Sequence, residues 1–148
     1  MTTKDAISKF LKDVSAAIKK DQRDKGIVSS EESAKSLRET ATNTEGKLIG
    51  RAYFFQQFKG RRPGKFPPIE DIIQWIRNKG ISPVDISERS LAFIIARKIS
   101  RLGTDIFQKK RPGIDINKIT EDRLPTLMSD IKKIKREEYR MKFKRALQ

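Results

Sequence analysis

The sequence contains neither cysteine nor histidine. Their absence excludes disulfide bonds, thiolate nucleophiles and zinc sites of the usual ligand types, and it removes the commonest general base. The carboxylates are spread along helix-like segments, mostly beside a lysine or arginine, which is typical of solvated surface pairs. We therefore expect no cofactor, no metal and no enzymatic activity. A carboxylate-based, metal-dependent nuclease is the least favoured alternative.

Long apolar runs are also lacking. No stretch approaches the roughly 20 residues of a membrane span, and residues 1–10 alternate charged and apolar side chains, unlike a signal peptide. We expect no membrane association and synthesis in the cytoplasm. A length of 148 residues predicts a single domain over 1–148.

Positive charge, by contrast, is abundant. The chain carries 34 basic and 19 acidic residues, a net charge of +15. Such an excess favours a polyanionic partner, whether nucleic acid, an anionic membrane or an acidic protein surface, and does not choose among them.

The pattern of apolar residues predicts about four helices and a short β-rich middle. An apolar stripe predicts a long N-terminal helix over 4–20, and a basic C-terminal helix is predicted over 121–146. The core is expected over 35–107. Residues 21–33 have the polar composition of a linker, and 105–119 is expected to be irregular.

The sheet is predicted from two extended pieces joined by a turn. Residues 35–42 are weakly strand-like, 43–46 form the turn, and 47–58 are rich in aromatic residues. We expect a strand over 47–58, with a buried helix as the alternative. The aromatic residues there are expected to lie in the core, although aromatics among cations also stack on single-stranded bases.

Two further helices follow. The first spans 69–79 between Pro68 and Gly80, with Trp75 at the edge of a buried stripe formed by Ile69, Ile72, Ile73 and Ile76. The second starts near Asp85 or Ser87 and ends at Leu102. Its expected inner face is Leu91, Ile94, Ile95, Ile99 and Leu102, and its expected polar face is Arg97, Lys98 and Arg101.

A basic loop over 59–68 is the first candidate site. Two glycines and three prolines among these ten residues exclude regular structure and predict a flexible backbone. Its cations are Lys59, Arg61, Arg62 and Lys65. Cations on a loop suit phosphate contacts, so the loop is expected to face DNA or, as readily, to dock on an acidic protein neighbour or be solvated. It has neither the spacing nor the hydroxyl residue of a nucleotide-binding P-loop.

The C-terminal helix is the second candidate site. It is amphipathic and cationic, and such a helix contacts nucleic acid, a partner protein or, less favoured here, a membrane. Its basic residues are Lys132, Lys133, Lys135, Arg136, Arg140, Lys142, Lys144 and Arg145.

One stretch carries a specific order of motifs. Tyr53-Phe54-Phe55 precedes a loop, Gly60-Arg61-Arg62-Pro63-Gly64-Lys65-Phe66-Pro67-Pro68; a helix then contains Trp75 and leads to Lys79-Gly80-Ile81; and a second helix contains Ala92-Phe93-Ile94-Ile95-Ala96-Arg97-Lys98-Ile99 and exits through Gly103-Thr104. This order resembles the tail-completion, or minor tail-component, family of tailed bacteriophages, which includes neck proteins of the head–tail connector. The resemblance covers roughly a third of the chain; the insert over 108–119 and the long basic helix depart from the family pattern.

The resemblance implies an α+β fold, in which a small antiparallel β-sheet is packed by about four helices. It also implies a structural virion protein without enzymatic activity. It implies a ring of six or twelve copies in the neck, assembled in the host cytoplasm, that joins the portal to the tail around the DNA passage. The expected partners are further copies of the chain, other portal, neck or tail proteins, and DNA through non-specific contacts. The alternative is a free, basic nucleic-acid-binding protein, which the net charge favours equally well.

Overall fold

A computed structural model describes residues 1–27 and 32–147. These residues form an α+β fold with one two-stranded antiparallel sheet and seven helices, four of them ten residues or longer, which confirms the predicted fold class. In chain order the elements are α1 (Thr3–Asp24), α2 (Glu32–Lys35), β1 (Arg38–Ala41), β2 (Gly46–Ile49), α3 (Tyr53–Lys59), α4 (Ile69–Asn78), α5 (Glu88–Leu102), α6 (Ile116–Glu121) and α7 (Leu124–Ala146).

The chain divides into two compact units. The first consists of Met1–Lys20, Leu37–Gly50 and the chain from Ile116 onward, and the second of Asp21–Ser36 and Arg51–Asp115. The expectation of a single domain over 1–148 stays a prediction.

The first unit is organised by α1. At its start the Thr2 hydroxyl accepts a hydrogen bond from the Asp5 backbone nitrogen (3.2 Å), and the Asp5 carboxylate accepts one from the Thr2 nitrogen (2.7 Å), which satisfies both free donors. The hydrogen bond that the carboxylate accepts from the Thr2 nitrogen, together with one from the Thr2 hydroxyl (2.8 Å), holds the pKa of the Asp5 carboxyl below its usual value. The predicted stripe is buried at Leu11, Val14 and Ile18, so α1 supplies the core of this unit.

The hairpin β1–β2 belongs to the same unit. Its register pairs Arg38 with Ile49 and Ala41 with Gly46, so the predicted turn is confirmed. The sheet approaches α1 closely at Gly46, where a Cβ atom would lie 2.5 Å from Ile7 Cγ2. A small residue is therefore required there for the sheet to pack on α1.

The second unit is built on the contact between α4 and α5. The isoleucine stripe of α4 is confirmed: Ile72 and Ile73 are buried, Ile76 is fully buried, and Trp75 packs at the edge of this cluster. They meet Ala92 and Ala96 of α5, both without exposed surface. Because the α5 side chains at this contact are small, the two helices approach closely, and the isoleucine side chains of α4 fill the space between them.

The predicted inner face of α5 is wrong at two positions. Ile94 is 56% exposed and Leu102 is 50% exposed, whereas Ala92 and Ala96 occupy the centre of the interface. Alanine is only weakly hydrophobic, so the apolar pattern did not indicate these positions. They are buried because small side chains are favoured where two helices approach closely. The helix begins after Ser87, whose hydroxyl accepts from the Ser90 nitrogen (3.1 Å), and not at Asp85.

The predicted strand over 47–58 is also wrong beyond Ile49, because Tyr53–Lys59 is helical. A helix places Phe54 and Gln57 on one face, and both are buried while Tyr53 and Phe55 are exposed. Gln57 fixes this arrangement: its side-chain oxygen accepts from the buried Gln22 amide (2.6 Å), and its carbonyl accepts from the Ile114 nitrogen (3.0 Å). The aromatic segment is thus only partly core.

Helix boundaries differ from the sequence expectations at three more places. The first helix continues past Lys20 to Asp24, into the predicted linker, supported by the Lys25–Asp21 ion pair (2.8 Å). The linker's central residues lie outside the described part of the chain, and its end is the short helix α2. The expected irregular segment ends in α6. The C-terminal helix starts anew as α7, with Pro125 in the first turn, where its missing N–H costs no hydrogen bond.

We predict that Ile76→Ala lowers the free energy of unfolding by about 2–5 kcal/mol, because it leaves a cavity in the fully buried α4–α5 contact. Ile94→Ala is the matched control on the exposed side of α5 and is expected to change it by less than about 0.5 kcal/mol. Chemical denaturation measures both. Equal losses in the two variants would contradict this assignment of the buried face.

Candidate functional site

The backbone of the basic loop is held in place by the end of α5. The Arg61 nitrogen donates to the Thr104 hydroxyl (2.9 Å), the Thr104 nitrogen donates to the Arg61 carbonyl (3.0 Å), and the Gly64 nitrogen donates to the Ser100 carbonyl (2.8 Å). The expectation of a flexible loop backbone is therefore wrong between Arg61 and Gly64. The loop lies along α5 as an anchored element.

Two glycines make this contact possible. Gly60 and Gly103 have φ angles of +76° and +78°, which non-glycine residues rarely adopt. A Cβ on Gly60 would overlap the backbone nitrogen of Phe107, and one on Gly103 would lie 2.6 Å from the Arg61 carbonyl oxygen. Glycine is therefore needed at both positions for two reasons: the positive φ angle, and the lack of space for a Cβ atom between the two backbone segments.

The structure separates the four cations of the predicted loop site. Lys59 is the last residue of α3, with its Nζ 5.6 Å from the centre of the Phe58 ring. The Arg61 guanidinium is half-buried and donates to the Lys65 carbonyl (3.0 Å), so it stabilises the loop. Arg62 and Lys65 are exposed. Lys59 is exposed as well, but it lies on α3, so Arg62 and Lys65 are the exposed cations of the loop itself.

The outward side of α5 adds cations to this loop. Phe93, Arg97 and Arg101 are exposed and recur every four residues, so they lie in one row on the helix. The Phe66 ring of the loop packs against the Phe93 ring with centroids 5.5 Å apart. We call the resulting set the loop–α5 surface; it comprises Arg62, Lys65, Phe66, Phe93, Arg97 and Arg101.

The loop–α5 surface was not predicted as one site. Arg97 and Arg101 were assigned to a polar helix face, and nothing in the spacing along the chain indicated that the loop lies beside them. The usable signal was the repeat of Phe93, Arg97 and Arg101 at four-residue intervals. This repeat shows that the three residues share one side of the helix. That the basic loop lies beside them is determined by its hydrogen bonds to Ser100 and Thr104, which the repeat does not reveal.

The basic residues of α7 are all exposed, as expected. Among its apolar residues, Leu127, Ile131 and Ile134 are half-buried, whereas Leu124 is 40% and Met141 is 50% exposed. From Lys135 onward every described residue is exposed, including Phe143 at 70%. The first half of α7 therefore packs within its unit and the second half does not.

The cations of α7 are partly neutralised on their own helix. Glu138 accepts from Lys135 (2.8 Å), and Glu137 lies 3.6 Å from Arg140. A groove of about 880 Å³ beside Ile134 and Met141 has three carboxylates and three cations among its lining residues. This mixture of charges does not define a site for a ligand of one sign.

The remaining chemistry of the chain is sparse. Within residues 1–27 and 32–147, no group of three or more acidic side chains is placed to hold a metal ion. None of the described helices combines the length and the apolar character needed to cross a bilayer.

No protein-family model, curated protein or solved structure matches the chain. A function for the two basic surfaces must therefore be argued from their own residues.

We predict that Gly60→Ala destabilises the fold more than Gly80→Ala. Both positions have positive φ, +76° and +66°, so both variants carry the strain of a left-handed residue, about 1–2 kcal/mol. Only at Gly60 would the new methyl group meet the backbone of Phe107, since nothing lies within 4 Å of Gly80. Urea denaturation of both variants measures the difference; equal losses would show that the loop is not pressed against this backbone.

We also predict weak protection of the second half of α7 from hydrogen exchange. A stretch of about 12 residues is too short to be stable as an isolated helix, and this one has no buried side chain. Peptides from 136–146 should exchange much faster than peptides from α5 in mass-spectrometric measurements. Repeating the experiment at two protein concentrations controls for self-association. Protection equal to that of α5 in the dilute sample would contradict the prediction.

Proposed function

We propose that the chain is a structural subunit of a tailed phage particle, a neck or tail-completion protein that acts as one copy in a ring of six or twelve. It joins the portal to the tail around the DNA passage and is assembled into the virion in the host cytoplasm. The proposal includes no catalytic step, because the sequence offers neither thiol nor imidazole.

The observation that carries this proposal is the anchoring of the loop. The resemblance to tail-completion proteins rests on the order of a Gly-Arg loop, an isoleucine-rich helix, an Ala-containing helix and a Gly-Thr exit. In the structure these separate motifs have complementary physical roles. Gly60 and Gly103 admit the close approach, Thr104 bonds both the nitrogen and the carbonyl of Arg61, and Ala92 and Ala96 receive the α4 stripe.

The exposed half of α7 supports a role in assembly. Tyr139, Phe143 and Leu147 are 61%, 70% and 85% exposed and recur at four-residue intervals. Large apolar side chains at this spacing anchor a helix in a groove of another protein. Within the proposed function, this row contacts a neighbouring subunit or another neck, portal or tail protein.

The second candidate function is a free nucleic-acid-binding protein. The loop–α5 surface favours it, because a basic surface of this kind binds nucleic acid whether or not the protein belongs to a particle. The two functions differ in where the chain is found. A neck subunit is incorporated in stoichiometric amounts into particles, whereas a free binder is absent from purified virions.

Our prediction for the proposed function is that Arg62→Glu/Lys65→Glu leaves the fold intact but lowers the yield of infectious particles about tenfold or more, the effect of losing roughly 1.4 kcal/mol of contact energy. Both side chains are exposed, so their reversal should not change the circular dichroism spectrum or the melting temperature. The measurement is complementation of a phage that lacks the gene, together with quantification of the chain in purified virions.

The matched control is Lys12→Glu/Lys20→Glu, which makes the same change of charge at exposed positions on α1. It is expected to assemble normally. Absence of the wild-type chain from purified virions would refute the structural role altogether. Normal infectivity of Arg62→Glu/Lys65→Glu would show that the loop takes no part in it.

A further inference from the structure

No cation of the loop–α5 surface has a carboxylate partner among the described residues. Within that part of the chain, Arg62, Lys65, Arg97 and Arg101 form no ion pair, whereas two of the eight basic residues of α7, Lys135 and Arg140, are paired with glutamates of the same helix. The other α7 cations form no ion pair there either, so the difference between the two surfaces lies in the backbone that carries them. Lys98, at the edge of the same side of α5, is 3.8 Å from Asp105. The four unpaired cations therefore form a local excess of positive charge that no described carboxylate neutralises.

Its cations are also carried by backbone with fixed positions. Arg97 and Arg101 are one helical turn apart, about 6 Å along the axis. Arg62 and Lys65 flank the Gly64 nitrogen, which is bonded to the Ser100 carbonyl of the same helix. The loop segment that carries Arg62 and Lys65 is therefore hydrogen-bonded to the turn of α5 that carries Arg97 and Arg101. Little backbone entropy is lost when such a surface binds, which favours its use over cations on an unpacked helix end.

We infer that the loop–α5 surface binds the phosphodiester backbone of double-stranded DNA through Arg62, Lys65, Arg97 and Arg101, and that the cations of α7 do not. The inference rests on the proposed function only for the presence of DNA beside the chain. It deepens that function by assigning the DNA contact to one of two basic surfaces and by adding two arginines of α5 to it.

The aromatic rings between the cations favour duplex over single-stranded DNA. Phe66 and Phe93 are packed on each other with their planes tilted by 43°, so each ring has one side occupied by the other, although they stay 41% and 52% exposed. Stacking of unpaired bases on these rings is the alternative that the single-strand measurement below detects. The four cations are assigned to phosphate oxygens, whose contacts position a protein on the duplex and carry no sequence information directly.

The experiment compares two double variants of the purified full-length chain. Arg97→Gln/Arg101→Gln removes two exposed cations four residues apart from α5, and Lys132→Gln/Arg136→Gln does the same on α7. The two variants therefore have the same net charge. Affinity for a duplex of about 20 base pairs, roughly two helical turns, is measured by fluorescence anisotropy over a series of salt concentrations. Circular dichroism and melting temperature verify folding.

Each phosphate contact contributes about −0.9 to the slope of log K against log salt concentration. We expect the α5 variant to lose about two units of slope relative to the wild type, and the α7 variant to retain the wild-type slope. An additional Arg62→Gln/Lys65→Gln variant should lose a similar amount. These results together would support the assignment.

Three outcomes would overturn it. Equal loss of slope in the α5 and α7 variants would show that net charge alone governs binding. Tighter binding of a single strand of the same length would exclude the duplex. Binding of polyglutamate but not of duplex would identify an acidic protein as the partner. Incorporation of the α5 variant into virions is measured separately, so the inference and the proposed function are tested independently.

Discussion

Close backbone approach at Gly60 and Gly103 is the constraint on which the loop–α5 surface depends. Both residues have a positive φ angle, and each lies where a side chain would meet the backbone of the 61–107 region. This approach lets Thr104 bond Arg61 through its nitrogen and its hydroxyl. A loop that composition alone describes as flexible thereby becomes a fixed edge of α5.

The α4–α5 contact supports this edge from the other side of α5. Ile76, Ala92 and Ala96 are completely buried, so α5 is fixed against α4 and presents its opposite side outward. The ion pairs Arg77–Glu88 (2.9 Å) and Arg89–Glu70 (2.8 Å) also join α4 to α5, but they are exposed and contribute little to stability. Burial of apolar area thus determines which α5 residues stay exposed.

The two basic surfaces have different physical characters, and the proposed function uses both. On the loop–α5 surface the cations are unpaired and carried by packed backbone, which suits a phosphate backbone. On α7 two of the cations, Lys135 and Arg140, are paired with glutamates, and large exposed apolar residues such as Phe143 lie among the basic residues, which suits contact with protein. A subunit between a DNA passage and neighbouring proteins requires one surface of each kind.

The sequence alone determined the α+β class, the capped ends of α4 and its isoleucine stripe, because these depend on local periodicity and on residues such as Pro68 and Gly80. It could not determine that 53–59 is helical, since the burial of Gln57 depends on Gln22, 35 residues earlier. Nor could it determine that Ala92 and Ala96 replace Ile94 in the interface, because side-chain size matters only once a second helix is in place. The union of Arg62 and Lys65 with Arg97 and Arg101 was likewise decided by tertiary structure, through hydrogen bonds between residues about 40 positions apart.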